Sequence, residues 1–515
     1  MSKQLFKSTA IVSSMTMISR VMGFARDMLF ANIFGVNAAT DAFFVAFRIP
    51  NFLRRLFMEG AFAQAFVPTL SDYNEKGSLE ALQLFIDRTA GTLAVLLVLF
   101  TVIGVIAAPL LILLFAPGFL WEGDQYELAV QMLRITFPYL FFVTLVAFAG
   151  AILNARGKFA IPALTPVLLN ICMIGAAIWL APLMAEPIMA LAWGVFGAGA
   201  MQLLFQIPAL VRLGLLPRPR WGYRDPAVKR MLKQMLPAIF GVSVVQVNLL
   251  LGTLIASFLS SGSVSWLYYS DRLVEFPLGI LGVALATVIL PKLSENHAAD
   301  DTLAFSKALD WGLKLVLLIG LPATLGLTLL AEPLLSTLFQ YNEFGSEDVR
   351  MAGKSLMAYA LGLLAFMLIK ILVPGFTSRQ DTQTPMRLGM YTIAANIAFS
   401  ILLAFPLAHA GIALATTLSA YLNALLLLAR LVKARVYRPC EQWLLYGLRI
   451  AAANALMSTF LYYFVDTTLW LDWSASQRGL HLGITIGLAI LIYGLALVML
   501  GIRPRHIGFQ TPAPT

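Results

Sequence analysis

Apolar residues in this chain come in runs of about 20 or more, the length that carries a helix across the hydrocarbon core of a bilayer. Short polar clusters separate the runs. The pattern predicts fourteen transmembrane helices, at 8–34, 40–70, 85–116, 126–153, 160–181, 187–211, 232–259, 264–291, 308–339, 351–377, 384–405, 411–430, 441–465 and 479–502. Lys and Arg outside these spans gather in alternate connections: "NARGK" (154–158), "RLGLLPRPRWGYRDPAVKRMLK" (212–233), "SRQDTQTPMR" (378–387) and "RLVKARVYR" (430–438). The connections on the other side, such as "APGFLWEGDQYE" (116–127) and "FPLAHAG" (405–411), leave that face only Arg350 and Arg478. Basic residues are retained in cytoplasmic loops, so both termini and the basic connections are expected in the cytoplasm.

The pattern also repeats. "FVPTLS" (66–71) returns as "ILPKLS" (289–294), "APLLILLF" (108–115) as "EPLLSTLF" (332–339), and "RGKFAIP" (156–162) as "RQDTQTP" (379–385), at offsets of 223 or 224. An offset spanning six helices, an even number, puts both copies in one orientation, the parallel repeat of a transporter. The expected fold is an all-α polytopic membrane protein. Two six-helix lobes (1–220 and 221–438) enclose a central cavity, and a last helix pair with a tail (439–515) lies outside the repeat.

Composition agrees. Of 515 residues 60% are hydrophobic and only 12% charged, with a mean hydropathy of +0.83; soluble proteins carry about 25% charged residues. The net charge of +10 then records orientation, and no nucleic-acid partner is expected. The N-terminus lacks the features of a cleaved signal peptide. Cys172 and Cys440 fall near the helix ends of different spans, and His297, His409, His481 and His506 are scattered, so no disulfide and no metal site are expected. There is no GxxxxGK loop for ATP hydrolysis.

What composition leaves open is a set of charges inside apolar spans. Thr9, Ser13, Thr16, Arg20, Gly23 and Asp27 are spaced 4, 3, 4, 3, 4 and share one helix face, with Arg26 beside it. Asp41, Arg48, Arg55 and Glu59 share a face of the second span, and Ser265, Tyr268, Arg272, Glu275 and Gly279 a face of the eighth, with Asp271 adjacent. An Arg at the bilayer centre costs about 2.5–3.5 kcal/mol on insertion scales. These stripes are therefore expected to line a wet, basic cavity. The alternative is that the charges pair and hold helices together. The guanidinium fork suits phosphate, which it binds through two hydrogen bonds. Pro50 can break the register before "LRR", leaving open which of Arg54 and Arg55 faces inward. Gly23 is expected to permit a bend.

The stretches "SRVMGFARD", "TDAFFVAFRIPNFLRRLFMEGAFAQAFVP", "SGSVSWLYYSDRLVEFPLGILGVALATVILP" and "VPGFTSRQDTQTP" resemble the MurJ (MviN) family, and the resemblance runs the length of the chain. These are lipid II flippases of the multidrug/oligosaccharidyl-lipid/polysaccharide exporter superfamily. The resemblance implies a non-enzymatic, multi-pass protein of the bacterial inner membrane. It would move undecaprenyl-pyrophosphate-linked disaccharide-pentapeptide to the periplasmic leaflet by alternating access, for peptidoglycan synthesis. It implies that Arg20, Arg26, Arg54 and Arg272 match essential cavity arginines. Asp41, Arg48, Arg55, Asp271 and Glu275 match other cavity positions, and Ser19, Gly23 and Ser265 small lining positions. The added helix pair matches a lipid-facing groove for the polyprenyl tail. The expected partners are lipid II and membrane lipids, with the cell-wall synthesis machinery a further candidate, and the expected state is a monomer. No bound cofactor is identified. Membrane potential is the expected drive, and the sodium that some members bind is left unplaced.

Two rivals remain: a related lipid-oligosaccharide flippase or multidrug antiporter, and a membrane enzyme using lipid-linked sugars. An antiporter for cationic drugs calls for an acidic cavity, and a polymerase for a catalytic carboxylate in a substantial outer loop. Neither is written here.

Overall fold

A computed structural model describes residues 3–56, 62–76, 78–121, 123–439, 442–466, 470 and 473–502. Among these residues every regular element is a helix. In order they are α1 (Lys3–Phe34), α2 (Ala38–Arg54), α3 (Ala63–Lys76), α4 (Leu79–Ile106), α5 (Ala108–Phe115), α6 (Gly123–Thr136), α7 (Tyr139–Ala155), α8 (Ala160–Gly175), α9 (Met189–Arg212) and α10 (Pro226–Ala256). There follow α11 (Ser263–Pro277), α12 (Val283–Ala298), α13 (Thr302–Leu329), α14 (Ala331–Phe339), α15 (Ser346–Leu372), α16 (Pro374–Thr377), α17 (Gln383–Lys433), α18 (Trp443–Phe464) and α19 (Ala475–Met499).

Nine helical segments among the described residues are long and apolar enough to cross a membrane, against the fourteen spans expected. One of the nine, α17, holds two expected spans. Its backbone leaves helical geometry at Ala408 (φ 48°), beside Pro406. The turn is so tight that a Cβ on Gly411 would lie 2.1 Å from the Leu403 carbonyl oxygen. The four expected spans outside the nine are 8–34, 40–70, 232–259 and 264–291, corresponding to α1, α2–α3, α10 and α11–α12. Three of these four are the spans with charged stripes, so the chemistry that makes them interesting also lowers their apolarity.

The repeat is legible in the helix starts. Leu79 and Thr302, Ala108 and Ala331, Gly123 and Ser346, and Ala160 and Gln383 each begin helices 223 residues apart.

The chain forms two compact units, Met1–Ser265 and Trp266–Thr515. The expected boundary was 220/221. The difference is α10, which packs on α3, α4 and α5 and so joins the first unit. That unit has a core of Phe62, Phe66, Phe85, Phe148 and Leu153, with Phe62 and Phe66 stacked at 4.8 Å. The far half of α4 turns Val95, Leu99, Ile103 and Ile106 outward, a lipid-facing stripe.

The basic connection after α9 is strapped to α4. Asp87 accepts from the Arg218 amide (2.8 Å), Thr92 Oγ1 from the Gly222 amide (3.1 Å), and Arg88 pairs with Asp225 (2.5 Å). A Cβ on Gly91 would sit 2.2 Å from the Arg220 carbonyl oxygen, so only glycine admits the strap. Burial alone would raise the Asp225 pKa, but Arg88 and the amides of Ala227 and Val228 outweigh it and hold the carboxyl below its ordinary range.

In the second unit α13 packs on α15 and α15 on α17, while α18 and α19 seat on α13 and α14. The seat is apolar (Leu330, Ala453, Met457, Leu461, Ala489, Tyr493). Tyr493 donates to the Leu318 carbonyl at 2.7 Å, and buried Arg478 donates to the carbonyls of Trp470, Ser336 and Gln340. The helix pair outside the repeat is thus integrated into the unit, while Leu456, Ile490, Leu491 and Leu495 face outward.

Candidate functional site

The charged stripes separate into accessible arginines and buried clasps. In the first unit α1 runs unbroken through Gly23, without the expected bend, and packs on α8. Ser13, Thr16 and Arg20 are exposed, as their shared face requires, and Ser19 and Gly23 are half-buried. A Cβ on Gly23 would meet the Asn170 amide at 3.6 Å, ordinary contact. Arg26 lies elsewhere. It is 5% exposed and Asp27 1%; its Nε and Nη2 donate to Asp27 Oδ1 at 3.0 and 2.7 Å, and Nη1 to Asn170 Oδ1 at 3.0 Å. The guanidinium also lies over the Phe30 ring, 5.6 Å from its centroid. Asn170 completes the junction by donating to the Ser19 carbonyl at 3.1 Å. The structure places Arg26 in the α1–α8 packing.

Asp41 is likewise buried, at 2% exposed. Its carboxylate accepts from the Gly262 amide (2.7 Å), the Ser265 amide (2.8 Å) and the Ser265 hydroxyl (2.5 Å). Two residues 224 apart in sequence, both expected to line a cavity, bond each other. Amides at the start of a helix point outward unsatisfied, which is what a carboxylate matches.

Further along α2, Arg48 hydrogen-bonds Thr253 of α10. Pro50 does not break the register: α2 continues to Arg54. Proline has no N–H for the carbonyl four residues back, and that carbonyl, on Ala46, is taken by the Thr136 hydroxyl of α6 at 3.0 Å. Arg54 then faces a cleft formed by the ends of α2 and α3 with α7, α8 and α9, its Nε 3.4 Å from Asn51 Oδ1. Arg55 is half-buried and does not line that cleft. Glu59 lies outside the described residues, as do Cys440 and His506.

In the second unit, the stripe on α11 closes on itself. Arg272 Nη1 meets Glu275 Oε2 at 2.9 Å, Nη2 donates to the Tyr268 hydroxyl at 3.2 Å, and the guanidinium lies 4.9 Å from the Tyr268 ring centroid. Spacings of four and three residues put these side chains together, as the periodicity required. Arg272 and Glu275 remain accessible to solvent and Asp271 is half-buried. Beyond Pro277 the helix widens into a π turn at Leu278–Gly282, a distortion common where a helix serves a site.

Sequence reasoning missed Asn170, Thr253 and the amides Gln202 and Gln206. The only signal was a lone carboxamide or hydroxyl in an apolar run, and most such residues satisfy themselves locally.

Comparison with known proteins bears on this arrangement. A family model described as "Lipid II flippase MurJ" matches residues 30–478. "Probable lipid II flippase MurJ" of Vibrio cholerae serotype O1 is 48% identical over 99% of both chains. "Lipid II flippase MurJ" of Burkholderia cenocepacia is 40% identical over 92% of both. A solved structure described as "Lipid II flippase MurJ, inward closed conformation" superposes with a TM-score of 0.80 at 26% identity, covering 95% of this chain and 98% of that one. An inward-facing multidrug transporter of the MATE family superposes at 0.66 with 14% identity, covering 83% and 98%, a likeness of fold alone.

Proposed function

Since the chain belongs to the MurJ family of lipid II flippases, we propose that it carries lipid II from the cytoplasmic to the periplasmic leaflet of the bacterial inner membrane. The end-to-end match to the Vibrio cholerae relative carries this reading. The exposed Arg20 on α1 supports it. We assign pyrophosphate contact to Arg20, Arg48, Arg54 and Arg55 in the first unit and, separately, to Arg272 in the second. Arg26 and Asp41 act as positioning residues: the first fixes α1 on α8, the second the turn before α11.

The protein acts as a carrier and breaks no bond of its cargo. Each negative charge moved outward through 100 mV gains about 2.3 kcal/mol, so the membrane potential drives an anionic head group in the required direction. Sodium is assigned no residue. Both termini are taken as cytoplasmic from the distribution of basic loops. A multidrug-antiporter reading is not favoured, because the accessible charges on α1 and the end of α2 are arginines.

The test is the leaflet that lipid II occupies. Spheroplasts depleted of the protein are treated with a membrane-impermeant amine reagent that labels the outward-facing peptide. Labelling should fall while total lipid II rises, and the wild-type chain should restore it. Unchanged labelling after depletion would refute the assignment.

A further inference from the structure

The cleft at Arg54 holds a feature that pyrophosphate binding leaves unused. It lies wholly in the first unit and encloses about 760 Å³, within the range of small-molecule sites. Two carboxamides of α9 line it. Gln202 and Gln206 are four residues apart, hence on one helix face, and are 3% and 1% exposed. Gln202 donates to the Thr165 carbonyl at 2.7 Å, which leaves its oxygen without a partner among the described residues. Gln206 has no partner among the described residues for either its nitrogen or its oxygen. Buried amides are almost always bonded, so one that presents a donor and an acceptor together into a cleft is suited to a ligand. The group it complements is another amide, through a paired N–H···O and O···H–N contact.

We propose that this cleft is a head-group subsite in which Gln206, with the Gln202 oxygen, pairs with a peptide amide of the cargo while Arg54 holds the adjoining anion. The assignment rests on the lipid II reading above. One wall, from α7, is Val143, Val146, Ala147, Gly150 and Ala151, which suits the apolar side chains of a short peptide. Asn154 and Ser71 are exposed and mark the mouth. The same walls would also accept a fatty acyl chain, and the experiment distinguishes the two.

Full-length purified protein is titrated with lipid II and with undecaprenyl pyrophosphate, which lacks sugar and peptide, and complexes are counted by native mass spectrometry. Gln206→Leu should weaken lipid II binding about tenfold, the loss of two neutral hydrogen bonds. Its binding of undecaprenyl pyrophosphate and its melting temperature should not fall. Ala151→Leu, which fills the cleft and keeps both glutamines, should reproduce the selective loss. Equal loss of both lipids, unchanged binding of both, or tighter binding of both in Gln206→Leu as for an acyl site would overturn the subsite and leave the flippase reading standing. Wild-type protein that binds neither lipid would overturn both.

Discussion

Arg26→Ala removes, from a position 5% exposed, two hydrogen bonds to Asp27, one to Asn170 and a cation over the Phe30 ring. Breaking one side of a buried ion pair costs about 3–5 kcal/mol, because the remaining charge keeps its desolvation without its partner. At roughly 2–4 °C per kcal/mol for a body of this size, the melting temperature should fall by about 6–20 °C. Arg20→Ala, six residues earlier on an exposed face, should shift stability by no more than about 0.5 kcal/mol yet abolish complementation of a depletion strain. Intrinsic tryptophan fluorescence of the purified variants reads the melting, and growth with membrane abundance checked by blot reads function. Asn170→Leu should destabilise in the same direction as Arg26→Ala, by less, since it leaves the Asp27 pair intact. If Arg26→Ala melts with wild type, the buried network contributes no stability and Arg26 must act on the cargo directly. If Arg20→Ala supports growth, the ligand-contact assignment fails.

Asp41→Asn keeps one acceptor but turns a donor toward the Gly262 or Ser265 amide, and should lower stability by about 1–3 kcal/mol; the same melting assay checks it, and an unchanged midpoint would refute the clasp. The Asp225 carboxyl is held below its ordinary pKa in the fold, so its stabilising contribution is complete above the unfolded value of about 3.9 and is lost as pH falls through the lower folded value. Hydrogen exchange of the connection between α9 and α10 should therefore quicken, relative to its intrinsic rate, on going from pH 5 to pH 3. Asp225→Asn should already show fast exchange at pH 5. Arg478→Ala should free the carbonyls of Trp470, Ser336 and Gln340 and raise exchange in α19 while α7 and α9 stay protected; equal change in both would show that the helix pair is not locally seated.

The all-helical, multi-span character of the chain and its 223-residue repeat were determined by the sequence, because each depends on composition over many residues and on the fixed rise of a helix. So was the Tyr268–Arg272–Glu275 group, whose members are neighbours by helical spacing alone. What tertiary structure decided was which charges are accessible and which are spent on packing. Arg20 and Asp27, seven residues apart, share one helix face, yet one is exposed and the other is buried against Arg26, which bonds a residue 144 positions away. Asp41 needed Ser265, 224 positions on, before its role could be assigned. Pro50 reads as a break until the hydroxyl of Thr136 is seen on the Ala46 carbonyl. Gln206 is one polar residue in an apolar run until four other helices close a cleft around it. Periodicity reports which residues share a face of one helix. Whether that face meets lipid, water or a partner is set by the helices that pack against it, and their contacts join residues the chain itself keeps far apart.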